Sequence, residues 1–273
     1  MVTPKITVSE LKALSYTDFV GYINQWNVLP GSYSTLSKWQ NYSHLNQNSR
    51  LLEVACTTGF SSRELAKTSG CQGVGIDISK KSIEAAKNNL QEYAPEVKID
   101  YFHQDAYTFR PTQKFSHIAV GASLKFFPDP KKMFDLCVSW LNDGGFLLAS
   151  PFYVNKKIPT SLVSEFEKIF NISPTQVPYK EIMALYQPLE IIFEERNDLI
   201  PETEDELKYY CNSTISRICQ TQNIEDPNIK EVIYQRLYDI KRMSNLLRPY
   251  QGYTVLVLRY EKNVYPNRFV ELF

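Results

Sequence analysis

From Arg50 to Ser150, short apolar runs alternate with stretches of helical periodicity, and no other feature restricts the fold as much. Arg50-Leu51-Leu52-Glu53-Val54-Ala55 is the first apolar run, and Phe60 to Ser69 then reads as a helix that stops near Gly70. Gly73-Val74-Gly75-Ile76-Asp77 is the second run. A helix over 79–93 follows, with Ser79 as a good N-cap and Ile83, Ala86, Leu90 and Tyr93 on one face. Val97–Phe102 and Phe115–Gly121 read as strands, and Pro130–Leu141 as a helix with proline in its first turn. Asn142–Gly145 is expected as a turn and Phe146–Ser150 as another strand. Strands that alternate with helices form a parallel sheet, because each parallel connection needs a crossover long enough to hold a helix.

The flanks read differently. Residues 1–45 are polar and aromatic. Tyr16, Phe19 and Ile23 have helical spacing, Leu29-Pro30-Gly31-Ser32 breaks the pattern, and Ser34–Tyr42 suits a second short helix. Prolines at 151, 159, 174, 178 and 188 punctuate the region after the core, where short helices are expected at Thr160–Phe170 and Tyr179–Tyr186. Leu189–Glu194 suits a strand, Glu202–Thr221 and Asn228–Leu247 suit amphipathic helices, and Gly252–Tyr260 suits a closing strand. The expected organisation is therefore an N-terminal helical cap (1–45), an α/β core (46–150), a cap insertion with a sixth strand and helices (151–250), and a closing strand with a C-terminal tail (251–273).

Charge and cysteine usage narrow the function. Thirty basic and thirty acidic side chains leave no net charge to draw the chain toward nucleic acid or an anionic membrane. No apolar run approaches a membrane span, and the first residues lack the charged-then-apolar order of a signal peptide, so a cytoplasmic location is expected. Five scattered cysteines have no metal-ligand spacing, and no metal is expected.

The chemistry concentrates in Leu51-Leu52-Glu53-Val54-Ala55-Cys56-Thr57-Thr58-Gly59-Phe60-Ser61-Ser62. A strand ends in an acid and small residues, turns tightly and opens a helix. Small residues let a ligand approach the backbone, and the helix start offers free N–H groups. Asp77 ends the next strand, where a carboxylate suits the two hydroxyls of a ribose. Asp105, in Gln104-Asp105-Ala106, lies past the strand after that. All three acids fall at carboxyl ends of neighbouring strands, where open α/β sheets bind ligands. A nicotinamide site would need Gly-x-Gly-x-x-Gly and a P-loop Gly-Lys-Ser/Thr; neither is present.

These residues resemble class I S-adenosylmethionine-dependent methyltransferases. That family's first loop commonly reads acid-x-Gly-x-Gly-x-Gly; this chain has Glu53, Ala55, Thr57 and Gly59 at those positions, keeping only the last glycine. Phe115–Pro130 resembles the family's fourth strand and following loop, and Leu141–Leu148 the turn before its fifth strand. The resemblance covers about residues 48–150 and the final strand. It implies a Rossmann-like, doubly wound, seven-stranded sheet with its last strand antiparallel. It implies S-adenosylmethionine as cofactor, with S-adenosylhomocysteine as product. Glu53, Ala55, Thr57, Gly59 and Phe60 would meet the methionine part, Asp77 and Ile78 the ribose and one adenine face, Asp105 and Ala106 the adenine, and Gly121 the sulfonium. Thr57 disfavours a left-handed backbone, so the loop is expected to curve differently from a glycine-rich one.

Methyl transfer implies an acceptor, expected to be a small metabolite methylated at oxygen or nitrogen. His103 and Lys125 are the candidate catalytic side chains, and His117, at the far end of its strand, is expected to be structural. Tyr16, Tyr22, Trp26, Tyr33, Lys125 and Tyr153 are candidates for the acceptor pocket, since an aromatic-lined enclosure suits a small molecule. The chain is expected to act as a monomer or homodimer without nucleic acid or membrane. Two alternatives remain: a non-catalytic binding or regulatory protein with a degenerate cofactor site, motivated by the missing glycines, and an RNA or protein methyltransferase.

Overall fold

The computed structural model describes residues 6–262. The readings made on the first five residues and on the C-terminal tail beyond 262 lie outside the described residues. The elements run α1 (Val8–Ala13), α2 (Tyr16–Tyr22), α3 (Ser32–Ser43), β1 (Arg50–Val54), α4 (Phe60–Ser69), β2 (Gln72–Asp77), α5 (Lys80–Tyr93), β3 (Ile99–His103), β4 (Phe115–Gly121), α6 (Pro130–Trp140), β5 (Leu141–Ala149), β6 (Phe152–Val154), α7 (Thr160–Phe170), α8 (Tyr179–Ala184), β7 (Glu190–Asp198), α9 (Glu204–Thr221), α10 (Pro227–Leu247) and β8 (Gln251–Arg259). No described helix is long and apolar enough to cross a membrane.

The sheet order is β3-β2-β1-β4-β5-β8, with β7 on the other side of β8. The first five strands pair in parallel, and β8 is antiparallel to its neighbours. The expected seven strand positions are therefore filled, and an eighth strand was not foreseen. That strand, β6, pairs with the first residues of β8 on the same side as β5. It continues β5 after an interruption at Ser150-Pro151, where proline has no N–H to give to a ladder. Asn142–Gly145, expected as a turn, is instead an irregular stretch within β5. There the register jumps from Phe115 opposite Leu141 to His117 opposite Phe146.

Strand alternation divides the core into two layers. Leu52, Val54, Ile118, Val120, Leu147 and Ala149 face a cluster with Met133, Phe134, Cys137 and Trp140 of α6. Leu51, Ala119, Leu148, Val255 and Val257 face Leu36 and Trp39 of α3, Phe60 and Leu65 of α4, and Ile83 and Ala86 of α5. A third apolar cluster joins Leu11, Phe19 and Ile23 of the N-terminal region to Phe166, Phe170, Ile218, Ile233, Leu237 and Met243 of α7, α9 and α10. The N-terminal and inserted helices thus share one core. Arg236 reinforces the junction, donating to the Leu11 carbonyl at 2.9 Å and the Leu14 carbonyl at 2.7 Å.

The junction is seated over the ligand edge of the sheet by α2. A Cβ built on Gly21 would stand 2.3 Å from the backbone nitrogen of Ser82, so α2 and α5 touch backbone to backbone. The amides of Asn24 and Asn89 bond reciprocally at 2.8 Å, and Ser79 Oγ donates to Asp18 at 2.7 Å. Gly21→Ala is expected to destabilise the protein by about 2 kcal/mol or more in urea unfolding, because the clash is with main chain that has no rotamer to yield.

His117 ties the opposite end of the sheet to α3. Its Nε2 lies 3.0 Å from the Ser43 carbonyl, its Nδ1 lies 2.8 Å from Ser116 Oγ, and its ring stacks on Phe146. Burial pushes its pKa down to about 4. The unfolded imidazole takes up a proton near pH 6.5 and the folded one does so only near 4, so this contribution to stability is complete above pH 6.5 and is lost as pH falls toward 4. Urea midpoints measured between pH 7.5 and 4.5 should decline more steeply in wild type than in His117→Gln, by up to about 3 kcal/mol over the window.

Candidate functional site

The loop between β1 and α4 follows the glycine-type path despite its substitutions. Ala55 (φ 56°), Thr57 (φ 47°) and Gly59 (φ 75°) all adopt left-handed backbone. The expectation that Thr57 would redirect the loop is therefore corrected. The cause lies in the groups that hold it. Asp77 accepts the Thr57 N–H at 2.9 Å, and the Cys56 N–H donates to the Ile76 carbonyl at 3.0 Å. Thr58 Oγ1 donates to the Gln25 carbonyl at 2.6 Å, and Asn89 donates to the Thr58 carbonyl at 3.2 Å. Tyr101 Oη donates to the Gly59 carbonyl at 3.0 Å and lies 3.0 Å from Ser62 Oγ. These restraints outweigh a left-handed cost of about 1–2 kcal/mol for each non-glycine residue.

Two acids are buried at the strand ends beside this loop. Glu53 accepts the Ser62 N–H at 2.9 Å within the first turn of α4. Asp77 uses one oxygen for Thr57 and the other for the Ser79 N–H at 2.8 Å, leaving each oxygen a further lone pair. Burial raises the pKa of both carboxyls. Asp105 is different: it is exposed, and its Oδ1 accepts the Tyr107 N–H at 2.9 Å in an Asx turn. Ile78 is 65% exposed directly after β2, and its carbonyl lies 2.9 Å from Nε2 of the exposed His103. Ala106 and Phe60 are buried in the two opposite core layers, and Gly121 ends β4 at φ 50° with Leu29 passing above it.

The aromatic candidates do not converge on one wall. Tyr16 packs against Phe170 and, with Tyr22, belongs to the shared helical core. Trp26 meets Tyr93 edge-on, and Tyr33 meets Phe60 edge-on beside the first loop. Tyr153, on β6, is buried against Tyr179 and the backbone of Gly252. Lys125 lies in a 3₁₀ turn (Leu124–Phe126) just past β4; its Nζ is shielded from solvent without a hydrogen-bond partner, and burial lowers its pKa to about 8.

Two residues of this neighbourhood escaped the sequence reading. Tyr101 looks like an ordinary buried strand residue, and its hydroxyl role appears only once β3 lies beside α4. Arg63 is fully buried; its guanidinium lies 4.3 Å from the Trp26 ring and bonds Glu64 only through Nε, with Nη1 and Nη2 unpartnered. A charged residue within a helix reads as solvent-facing, so nothing in the sequence marks it.

Residues 51–145, the stretch that carries this loop and the strand-end acids, match the family described as "Methyltransferase domain". This segment is a methyltransferase domain. The whole chain is similar in fold to the MccD protein, with a TM-score of 0.69 and 26% identity, over 86% of this chain and 100% of that one. It is also similar to an S-adenosylmethionine-dependent methyltransferase from Geobacter sulfurreducens solved with S-adenosylhomocysteine, with a TM-score of 0.67 and 20% identity, over 88% and 96% of the two chains. A curated relative, malonyl-[acyl-carrier protein] O-methyltransferase 2 of Ilyobacter polytropus, is 23% identical over 59% of this chain, and the match spans 60% of the relative's length. The fold is that of the class I S-adenosylmethionine-dependent methyltransferases.

The methyltransferase domain's residues fit that cofactor. The left-handed positions leave the first loop tightly curved, and a Cβ at Gly59 would stand 2.5 Å from Tyr101 Oη. Two buried carboxylates with free lone pairs stand at adjacent strand ends, with an exposed isoleucine beside one of them. Thr57→Gly should relieve strain at a position already held in the left-handed region, so we expect a gain of up to about 1 kcal/mol in stability by urea unfolding.

Proposed function

We propose that the protein transfers a methyl group from S-adenosylmethionine to an oxygen or nitrogen atom of a small metabolite. The observation that carries this reading is the first loop, which keeps left-handed backbone at residues 55, 57 and 59 although two of the three are not glycine. The loop thus keeps the curvature of a glycine-rich cofactor loop in spite of two substitutions. This weighs against a non-catalytic protein with a degenerate site, and the zero net charge weighs against RNA. The relative named as an O-methyltransferase supports oxygen as the accepting atom.

In this reading Glu53 and Gly59 hold the methionine part, Asp77 the ribose hydroxyls, and Asp105 with Ala106 the adenine, with Ile78 against its face. Gly121 gives the reacting centre close access to the end of β4. When bound, S-adenosylmethionine supplies an electrophilic methyl group on a sulfonium. The protein's own contribution is alignment and exclusion of water, which together convert an encounter into a near-unimolecular displacement. The raised pKa values of Glu53 and Asp77 have a functional side. Each buried carboxylate lacks full compensation in the free protein, so an ammonium at Glu53 or hydroxyl donors at Asp77 meet an acceptor already stripped of water. A base is needed only where the nucleophile carries a proton at the working pH. His103 and Lys125 are the side chains with that capacity at this edge.

Calorimetric titration with S-adenosylmethionine and S-adenosylhomocysteine tests the reading. Wild type should bind both, and Asp77→Ala should weaken binding by about tenfold or more, since a charge-assisted acceptor is removed. A folded wild-type protein that binds neither compound would overturn it.

A further inference from the structure

Lys125 presents an imbalance that no described residue corrects. Its Nζ is withdrawn from water and has no hydrogen-bond partner. Burial lowers its pKa to about 8, and among the described residues it forms no ion pair. At neutral pH the group is still largely charged, and an unpaired buried ammonium is costly.

The other buried polar side-chain atoms without partners, among the described residues, sit differently. They are Trp39 Nε1, the two Nη atoms of Arg63 and Ser150 Oγ. Trp39 lies in the core layer under α3. Arg63 has a cation–π partner in Trp26 and an ion pair with Glu64. Ser150 directly follows β5, and its N–H donates to the Gly121 carbonyl at 2.7 Å, but its side chain is a neutral hydroxyl. Lys125 is the one cation among them without an ion-pair or cation–π partner, and it stands in the turn after β4, four residues beyond Gly121.

We infer that the methyl acceptor carries a carboxylate and that Lys125 binds it. A carboxylate matches the site in charge: one negative group neutralises one ammonium. A phosphate dianion would leave an excess negative charge against a single ammonium. An ion pair at this turn would orient the acceptor against the end of β4, so the role of Lys125 is binding and positioning. The inference rests on the methyl-transfer reading, and its test separates the two.

Benzoate with benzamide, and hexanoate with hexanamide, are suitable probes, because each pair differs in charge and little in shape. Binding is read from amide chemical-shift titrations of the protein, with and without S-adenosylhomocysteine. Wild type should bind at least one acid about tenfold or more tightly than its amide, the range expected for a hydrogen bond to a charged group. Lys125→Gln should abolish the preference, Lys125→Arg should keep it, and Lys131→Gln, which alters an exposed lysine already paired with Asp135, should leave it intact. Lys125→Gln should bind S-adenosylhomocysteine as wild type does and melt no lower, since it removes a buried unpaired charge. An acid preference absent from every wild-type pair, or one that survives in Lys125→Gln, would overturn the inference. Loss of S-adenosylhomocysteine binding by wild type would overturn the cofactor reading alone, because the acid-to-amide ratio is also measured without that compound.

Discussion

The Asp77 carboxylate is the tie on which the ligand edge depends. It ends β2, yet its two oxygens hold backbone N–H groups on either side: Thr57 in the loop after β1 and Ser79 at the start of α5. One buried anion thereby sets the curvature of one loop and the entry angle of the next helix. Ser79 in turn donates to Asp18 in α2, which extends the same chain of bonds into the N-terminal region. The arrangement is expensive, since burial disfavours the charge that makes it work.

The same logic explains why strained residues survive at 55 and 57. A threonine in left-handed backbone persists only where its surroundings leave no alternative. Here the restraints come from four separate elements: Asp77 on β2, Tyr101 on β3, Asn89 on α5 and the Gln25 carbonyl after α2. The loop is held from outside, where a glycine-rich version would reach the same path through its own freedom.

How much of this was legible depends on how local the cause is. The helix Phe60–Ser69 and its glycine stop, the Ser79 cap, and the proline-led α6 were readable because periodicity, capping and turn chemistry act within a few residues. Thr57 was misjudged because its conformation is imposed by residues far along the chain. The strand β6 was missed because three residues carry no period, and it exists only by pairing with β8. The aromatic residues of the first forty-five positions were equally ambiguous, since the same rings serve as pocket lining or as packing. Tyr16 and Tyr22 are placed in the helical core, whereas Tyr33 stands more than half exposed near the first loop. The strand-end acids Glu53 and Asp77 were visible because acid at the end of an apolar run is a local pattern, whereas the burial of Arg63 is a tertiary fact.

The helical layer above the sheet is assembled from two pieces of chain. Leu11, Phe19 and Ile23 come from its beginning, and Phe166, Ile218, Ile233 and Met243 from beyond the fifth strand. The inserted helices α7, α9 and α10 pack on one another, and the N-terminal residues complete the same cluster. During synthesis the N-terminal helices emerge ahead of their partners in α7 and α10, the latter more than two hundred residues later. The sheet is completed later still, because β8, which lies between β5 and β7, follows α10 in the chain. The two pieces also form a single unit of inheritance: a chimera that exchanged the inserted helices while keeping the original N-terminus would join mismatched halves of one core.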